Sequence, residues 1–480
     1  MTDLNPLLDF TGLPRFAEIK TEHIGPAVDW LLAENRSRIE NLSRPGTPAT
    51  WADFVAPLDD ANEKLARAWG VVGHLHGVLD SPELRSAYNA NQPKIVQYYT
   101  ELGQNLNLFE KYKALQAAPE FVTLTPAQRK IINNEIRDFR LSGAELSPQE
   151  KQRFAAISEE LARLSTKFSE NLLDATNAFA LYIEDRDQLS GIPEDVIETA
   201  RAAANKEGKP GWSLHAPSYL PFMQYAEQRD LRERMYRAYV TRASEFGKPE
   251  LDNTPLITRT LGLHQEAAQL LGYANHAEVS LVPKMARAPQ QVLDFLNDLA
   301  AKALPFARKD YAELGEFAAA ELGLAQLEAW DLAYASERLR LVRYAFSDQE
   351  VKQYFPELKV MQGMFRVVET IFGVRIQPDQ ADAWDPTVRF FRVNDAQGNL
   401  IGQFYLDPYS RDTKRGGAWM DEAISRRRLG ESVQTPVAYL TCNFSAPVGA
   451  KPALFTHDEV LTLFHEFGHG LHHLLTRVDY

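Results

Sequence analysis

The stretch from His465 to His469 constrains the local fold more strongly than any other part of this sequence. Two histidines stand four positions apart, and a glutamate, Glu466, directly follows the first. On an α-helix, residues four apart lie on one face about one turn from each other, so both imidazole rings can reach the same point. Upstream, Thr456 and Glu459 form the pattern of a capping box, which marks a helix start. Apolar residues then recur at helical spacing and predict that one side of this helix packs on a core: Val460, Phe464, Phe467, Leu471 and Leu474.

The pattern H-E-x-x-H is typical of zinc hydrolases. Histidines at this spacing can bind one Zn²⁺, and the glutamate between them can act as general base on a metal-bound water. We therefore expect His465 and His469 to be metal ligands, Glu466 to be the catalytic base, and one zinc ion to bind per chain. The alternative is two partly exposed helix histidines that bind no ligand.

The third metal ligand is not evident in the sequence. A catalytic zinc site uses three protein ligands and leaves one position open. The only acidic residue after His469 is Asp479, about 15 Å further along the same helix, too far to turn back to the metal. His472 or His473 could complete a weak site or orient a neighbouring ligand, and an upstream acidic residue could fold back. The simplest expectation is a carboxylate beyond Tyr480, in a sequence that is incomplete at its C-terminal end.

Composition and charge restrict the class of protein. At 480 residues the chain is long enough for two or three domains or for one large helical body. The formal net charge of −13 argues against nucleic acid or an anionic membrane as a partner. The single cysteine, Cys442, excludes internal disulfides and is expected to be a small buried residue. With no signal-peptide pattern and no long apolar run, we expect a soluble, cytoplasmic monomer.

Residues 1 to about 183 show helical patterns. Apolar residues between Ile24 and Leu42 mark a first long helix. Capping boxes at Thr125 and Ser147, each followed by proline, open two more helices, the second about thirty residues long. A long antiparallel helical hairpin is the simplest arrangement. The second of these helices carries an apolar stripe that predicts a packing seam: Phe154, Ile157, Leu161, Leu164, Phe168, Leu172, Ala175 and Phe179.

Polar breaks that contain glycine and proline, at 184–193 and 205–211, mark the expected boundary between two regions. The first region, 1–190, is expected to be helical and to contain the hairpin. The second region, 191–480, carries the H-E-x-x-H stretch and ends within or just after its helix. The predicted fold class is mainly α.

The pattern becomes strand-like in the last quarter of the chain. Two runs rich in β-branched and aromatic residues, 387–393 and 400–406, flank a turn-forming stretch at 394–399, which predicts a β-hairpin. A third strand is expected over Val437 to Phe444. If its edge is unpaired beside the metal, the segment from Thr441 to Phe444 could hold an extended peptide by backbone hydrogen bonds. A buried structural strand is an equal alternative.

Two charged stretches lie between the predicted hairpin and the third strand. The first, from Asp407 to Gly417, lacks the spacing of a phosphate-binding loop. Its charges could position a substrate carboxylate, but a solvated loop is the simpler expectation. The second consists of Arg426, Arg427 and Arg428, which are expected at the surface and are too few for a nucleic-acid-binding patch.

Several of these segments resemble the thimet oligopeptidase family of zinc metallopeptidases. The most specific matches are Gly402 to Asp407, Lys414 to Met420 and Phe464 to His469, and weaker matches run through the whole chain. The resemblance implies an elongated multi-helix body, neurolysin-like, with a small antiparallel β-sheet next to the H-E-x-x-H helix. It also implies a deep, narrow channel with zinc on its floor.

The resemblance further implies that His465 and His469 bind zinc, that Glu466 is the base, and that the third ligand is a glutamate beyond Tyr480. The expected function is hydrolysis of short, unfolded oligopeptides by a zinc-dependent endopeptidase. The alternative is a non-catalytic helical protein that binds peptides or another partner and retains the motif as a relic. No substrate-binding residue is identified.

Overall fold

The computed structural model describes residues 5–215, 218–447 and 452–480. Helices make up most of these residues, and the longer strands lie between residues 375 and 444. The fold is therefore mainly α, with a five-stranded sheet shortly before the H-E-x-x-H stretch, in agreement with the sequence. None of the helices in the described part of the chain has both the length and the apolar character that a membrane span requires.

The N-terminal helices begin where the sequence supplies capping residues. The hydroxyl of Thr125 accepts a hydrogen bond from the Gln128 N–H (3.3 Å), and Gln128 Oε1 accepts one from the Thr125 N–H (2.9 Å). Ser147 and Glu150 form the same reciprocal pair. Both predicted helix starts are confirmed, and so is the first long helix. The helices are α1 (Thr21–Ser43), α2 (Ala56–Val78), α3 (Pro82–Gly103), α4 (Leu106–Ala117), α5 (Pro119–Thr123), α6 (Pro126–Leu141) and α7 (Pro148–Asn177).

Further helices follow α7, with two short antiparallel strands between them, β1 (Leu181–Ile183) and β2 (Trp212–Leu214). These helices are α8 (Glu194–Lys206), α9 (Tyr219–Tyr225), α10 (Arg229–Val240), α11 (Thr254–Leu270), α12 (His276–Leu281), α13 (Pro289–Glu321), α14 (Leu332–Tyr344), α15 (Asp348–Val351) and α16 (Glu357–Phe372). Short 3₁₀ or π-helical turns lie at Pro6–Leu8, Phe16–Glu18, Trp51–Val55, Arg186–Leu189, Pro249–Leu251, Ala329–Asp331 and Lys352–Tyr354.

Helix α7, the longer helix of the predicted hairpin, packs along α3 and α11, neither of which is its neighbour in the chain. Ile157 and Leu164 are buried against α11, which confirms the first half of the predicted seam. Phe168 and Leu172, further along the same stripe, are 39% and 38% exposed. The seam weakens there because α11 starts opposite this point, where its N-cap residue Asn253 donates from Nδ2 to the Phe168 carbonyl (3.0 Å).

The strands that follow α16 form a five-stranded sheet and a small hairpin. They are β3 (Arg375–Pro378), β4 (Arg389–Asn394), β5 (Leu400–Tyr409), β6 (Trp419–Ile424), β7 (Arg427–Leu429), β8 (Ser432–Gln434) and β9 (Val437–Phe444). The strand order of the sheet is β3–β4–β5–β9–β6, and β7 pairs with β8. The predicted β4–β5 hairpin and the third predicted strand, β9, are confirmed.

Strand β9 occupies a different place in the sheet from the one predicted. It runs parallel to β5 and antiparallel to β6, so the sheet is mixed and not purely antiparallel. Thr441 pairs with Asp407 on one side and with Trp419 on the other. The prediction of an unpaired edge is therefore wrong at Thr441, which lies in a buried structural strand, whereas a peptide-binding role of the backbone from Cys442 to Phe444 stays a prediction. Parallel pairing joins segments far apart in the chain, so the local sequence pattern does not reveal it.

The sheet separates two cores and so positions the H-E-x-x-H helix, α17 (His457–Leu474). On one face, Tyr405 and Tyr439 share a core with residues of α1, α2 and α3. On the other face, Phe404 and Leu440 share a core with residues of α16 and α17. The first core joins residues on both sides of the boundary expected near residue 190, and the division into regions 1–190 and 191–480 stays a prediction.

Substitution of Phe467 tests the attachment of α17 to the sheet. The Phe467 ring is 1% exposed, and its centroid lies 5.3 Å from that of Phe404. We expect Phe467→Ala to lower the free energy of unfolding by about 3–5 kcal/mol, because it removes a buried ring and leaves a cavity. Phe464 lies on the same helix but is 39% exposed, so Phe464→Ala should lower the free energy of unfolding by less than about 1 kcal/mol. Urea denaturation measures both losses, and equal losses would contradict this packing.

Candidate active site

Helix α17 forms because its start is capped and one of its faces is apolar. The Thr456 hydroxyl accepts from the Glu459 N–H (3.2 Å), and Glu459 Oε2 accepts from the Thr456 N–H (2.8 Å), so the predicted capping box is present. Within the predicted apolar stripe, Phe467 and Leu474 are buried, and Val460 and Leu471 are partly buried. The remaining member, Phe464, is instead 39% exposed, and the neighbouring Leu463 is buried in its place.

A glycine allows α17 to lie close to the sheet. A Cβ atom on Gly470 would lie 2.9 Å from Leu440 Cδ2 on β9, closer than carbon atoms approach without repulsion. Helix α17 therefore approaches β9 at Gly470, one residue after His469. This approach fixes the height of the H-E-x-x-H turn above the sheet.

The two histidines of the motif converge on the solvent side of α17. His465 Nε2 and His469 Nε2 are 3.1 Å apart, and both side chains are exposed. Two nitrogen ligands about 2.0–2.1 Å from one tetrahedral zinc ion would be about 3.3 Å apart. The separation of the two nitrogens and their chemistry thus fit a shared zinc ion.

A cavity of about 650 Å³ adjoins these histidines. Glu466, which is 8% exposed, lies in its wall between them. Trp419 and Met420 of the outer strand β6 form another part of the wall. A larger cavity of about 1020 Å³, between α16 and strands β3 and β4, has no histidine among its described lining residues. The smaller cavity is therefore the candidate active site.

Asp479, one of the nearby alternatives for a third ligand, is engaged elsewhere. Asp479 accepts hydrogen bonds from the guanidinium groups of Arg426 (2.8 Å) and Arg428, as expected for a residue that cannot reach the metal. A ring nitrogen of His473 lies 3.0 Å from the Ile424 carbonyl oxygen. Within residues 5–215, 218–447 and 452–480, no group of three histidine, cysteine, aspartate or glutamate side chains is arranged to hold a metal ion.

Two of the three consecutive arginines are less exposed than the sequence suggested, whereas the third, Arg428, is exposed as predicted. The side chains of Arg426 and Arg427 are only 18% and 12% exposed. Arg427 forms ion pairs with Asp59 and Glu63 of α2, so it joins the strand region to the N-terminal helices. The prediction of a surface position is wrong for Arg426 and Arg427, because acidic partners from distant segments cover these two side chains.

Two charged residues of the stretch from Asp407 to Gly417 are also buried, and the prediction of a solvated loop is wrong for these two. The side chains of Asp407 and Lys414 are both 0% exposed, and Lys414 Nζ lies 2.9 Å from Asp407 Oδ1. Burial lowers the pKa of Lys414 to about 8, although the charge of Asp407 opposes this shift. Burial alone would raise the pKa of Asp407, but the hydrogen bonds from Arg411 and the charge of Lys414 lower it below its ordinary value. One feature of the sequence could have predicted these ion pairs, namely the opposite charges of residue 407 and of residues 411 and 414.

Cys442, on β9, agrees with its prediction. It is fully buried and not paired in a disulfide. Burial raises the pKa of its thiol to about 12, so it is a neutral, small side chain at ordinary pH.

Comparison with known proteins decides the family. Residues 222–480 match the model described as peptidase family M3, and residues 28–151 match the model of the neurolysin/thimet oligopeptidase N-terminal domain. The chain belongs to peptidase family M3. The resemblance inferred from its motifs is thereby confirmed, and the protein is a metallopeptidase by family.

Relatives of this M3 peptidase are similar along the whole chain. Oligopeptidase A of Haemophilus influenzae is 47% identical over 100% of this chain and 71% of its own length. Oligopeptidase A of Escherichia coli is 46% identical over 99% of this chain and 71% of its own length. A dipeptidyl carboxypeptidase of Salmonella typhimurium is 30% identical over 98% of this chain and 70% of its own length. These relatives agree with the assignment to a peptidase family.

The buried charges of the M3 peptidase give a stability prediction. We expect Lys414→Met to lower the free energy of unfolding by about 3–5 kcal/mol, because it leaves the buried Asp407 carboxylate with one cation fewer. Lys206→Met is a matched control, since Lys206 forms an ion pair with Asp412 while both side chains are at least 80% exposed. The control substitution should lower the free energy of unfolding by only about 0–1 kcal/mol. Urea titration of both variants checks this, and a loss from Lys414→Met as small as that of the control would contradict the buried pair.

Proposed function

We propose that this chain is a zinc-dependent endopeptidase of short, unfolded oligopeptides, with His465 and His469 as metal ligands and Glu466 as general base. The approach of the two Nε2 atoms to 3.1 Å, beside the buried Glu466, carries the proposal. Membership of peptidase family M3 supports metal-dependent peptide hydrolysis, and one zinc ion per chain is the expected content.

The chemistry divides between the metal and the glutamate. When bound, zinc supplies Lewis acidity that polarises the scissile carbonyl and acidifies the attacking water. Glu466 accepts a proton from that water on a carboxylate oxygen and passes it to the leaving amine, a step worth about 10²- to 10⁴-fold in rate. The position of Glu466 in the cavity wall, next to both histidines, supports this role.

The third ligand remains part of the proposal. It is predicted to be a glutamate beyond Tyr480. The engagement of Asp479 with two arginines supports this prediction, because that carboxylate is not free to complete the set.

The outer strand β6 supports binding of an extended peptide. It is the terminal strand of the sheet, and Trp419, Met420 and Glu422 on it border the cavity. A peptide beside β6 could form backbone hydrogen bonds while few of its side chains are recognised, which would allow oligopeptides of different sequence to bind.

The non-catalytic alternative has no observation in its favour among the described residues. Cytoplasmic localisation, which the single cysteine supports, and a monomeric state complete the proposal.

Zinc titration tests the two ligands. We expect the wild-type chain to bind one zinc ion, and His465→Ala and His469→Ala each to weaken binding by about 100-fold or more, because each removes a direct ligand. His472→Ala is the matched control on the same helix and should stay within about threefold of wild type. Competition with a chromophoric chelator measures these affinities. Equal effects of His469→Ala and His472→Ala would contradict the assignment.

Substitution of the base separates metal binding from catalysis. We expect Glu466→Gln to keep zinc affinity within about threefold of wild type, because Glu466 is not a ligand. In a form of the protein that hydrolyses a quenched fluorescent peptide, the same change should lower kcat by about 10²- to 10⁴-fold. Undiminished kcat in this variant would remove the proposed role of Glu466.

A further inference from the structure

The ladder between the parallel strands β5 and β9 is interrupted close to the candidate active site. Its register shifts between Asp407 and Tyr409, where Tyr409 comes to face Phe444. A shift of this kind leaves backbone carbonyls without a partner in the ladder. The ammonium group of Lys414 donates to three carbonyls at this point, those of Asp407 (3.1 Å), Tyr409 (2.8 Å) and Cys442 (2.5 Å). Lys414 therefore anchors the turn that leads from this break to the outer strand β6.

The backbone of the next residue, Arg415, is held from both sides. Its N–H donates to the Gly77 carbonyl of α2 (2.8 Å), and its carbonyl accepts from Asn443 Nδ2 of β9 (2.8 Å). The same Asn443 amide donates to the Gly417 carbonyl (2.5 Å), and Gly417 has a φ of +92°, which favours glycine. The turn thus has a fixed place between α2 and β9.

The side chain of Arg415 stacks on Trp419, a residue of the cavity wall. Its guanidinium carbon lies 4.3 Å from the ring centroid of Trp419, and Trp419 lines the cavity together with His465 and Glu466. Stacking on an aromatic face holds a guanidinium in place and leaves the N–H groups at its edge able to donate.

Arg415 differs from the neighbouring cations in having no carboxylate partner. Arg411 and Lys414 both form ion pairs with Asp407. Arg415 is exposed, and no carboxylate of the described residues lies within ion-pair distance of it. In a chain with a net charge of −13, this is a fixed positive group without an ion-pair partner, in contact with a residue of the cavity wall.

We propose that Arg415, seated on Trp419, binds a carboxylate of the peptide substrate and makes the site prefer peptides that carry one. Two parallel N–H···O bonds from one guanidinium suit a carboxylate, and an acidic side chain or a free C-terminus can supply it. This inference rests on the proposed function and names its substrate class. Arg415 is then a specificity-determining residue, and Lys414 and Asn443 are positioning residues that hold its turn.

Peptide binding to the metal-free, full chain tests this inference without hydrolysis. The reference probe is a neutral pentapeptide with an acetylated N-terminus and an amidated C-terminus. One partner peptide has the free C-terminal acid, and another has an internal glutamate in place of glutamine. Isothermal titration calorimetry at low salt should show at least one charged peptide binding about three- to tenfold more tightly than the reference, as expected for an accessible ion pair.

The variants assign the preference to one side chain. Arg415→Gln should reduce the ratio of charged to neutral affinity to about one, and Arg415→Lys should restore only part of it, because lysine lacks the planar fork. Arg38→Gln is the matched control, since Arg38 is an exposed arginine on α1 and should leave the ratio unchanged. The peptide that responds identifies the source of the carboxylate, and either response supports the inference.

Equal binding of charged and neutral peptides by the wild-type chain would overturn the inference, and so would an unchanged ratio in Arg415→Gln. Either result would leave the proposed function intact, because the zinc titration tests the metal ligands separately. If none of the peptides binds, the inference and the peptide-binding part of the proposed function both fail. Arg415 is exposed, so circular dichroism should show that its variants keep the wild-type fold.

Discussion

Helix α17 lies against strand β9 so closely that a side chain on Gly470 would meet Leu440 at 2.9 Å. The geometry of the candidate site depends on this contact. Phe467 and Leu474 bury the inner face of the helix, and the opposite face then carries His465 and His469 with their Nε2 atoms 3.1 Å apart. Because the buried face fixes the rotation of the helix, the apolar residues determine where the histidines point.

The second requirement is that β9 itself is held in place. It is an interior strand, parallel to β5 and antiparallel to β6, and it is buried on both faces. Where its pairing with β5 is interrupted, the buried ammonium of Lys414 donates to the unpaired carbonyls and to Asp407. The same anchor sets the start of β6, the outer strand beside the cavity. A buried charge therefore links the sheet to the wall of the site.

Features that depend on neighbouring residues could be predicted from the sequence. The helix starts after Thr125, Ser147 and Thr456 were predictable because a capping box involves only four consecutive residues. The hairpin of β4 and β5 was also predictable, since a turn-forming stretch separates two apolar runs. The H-E-x-x-H stretch predicted two converging histidines because helical geometry alone brings residues four apart onto one face.

Features that depend on distant partners could not be predicted. The parallel pairing of β9 with β5 and the edge position of β6, with its exposed Asp421 and Glu422, follow from the order of strands in the sheet. The burial of Lys414 depends on carbonyls from two strands, which its own sequence neighbourhood does not reveal. The exposure of Phe464 instead of Leu463 reflects a small rotation of the helix, which an apolar stripe defines only approximately.

The most direct test of the central claim is X-ray absorption spectroscopy at the zinc edge on the zinc-loaded chain. The account predicts two imidazole nitrogens per zinc at about 2.0–2.1 Å, with oxygen atoms in the remaining positions. The spectrum of His469→Ala should lose one of the two imidazole contributions. A zinc ion surrounded only by oxygen, or bound through the sulfur of Cys442, would contradict the account.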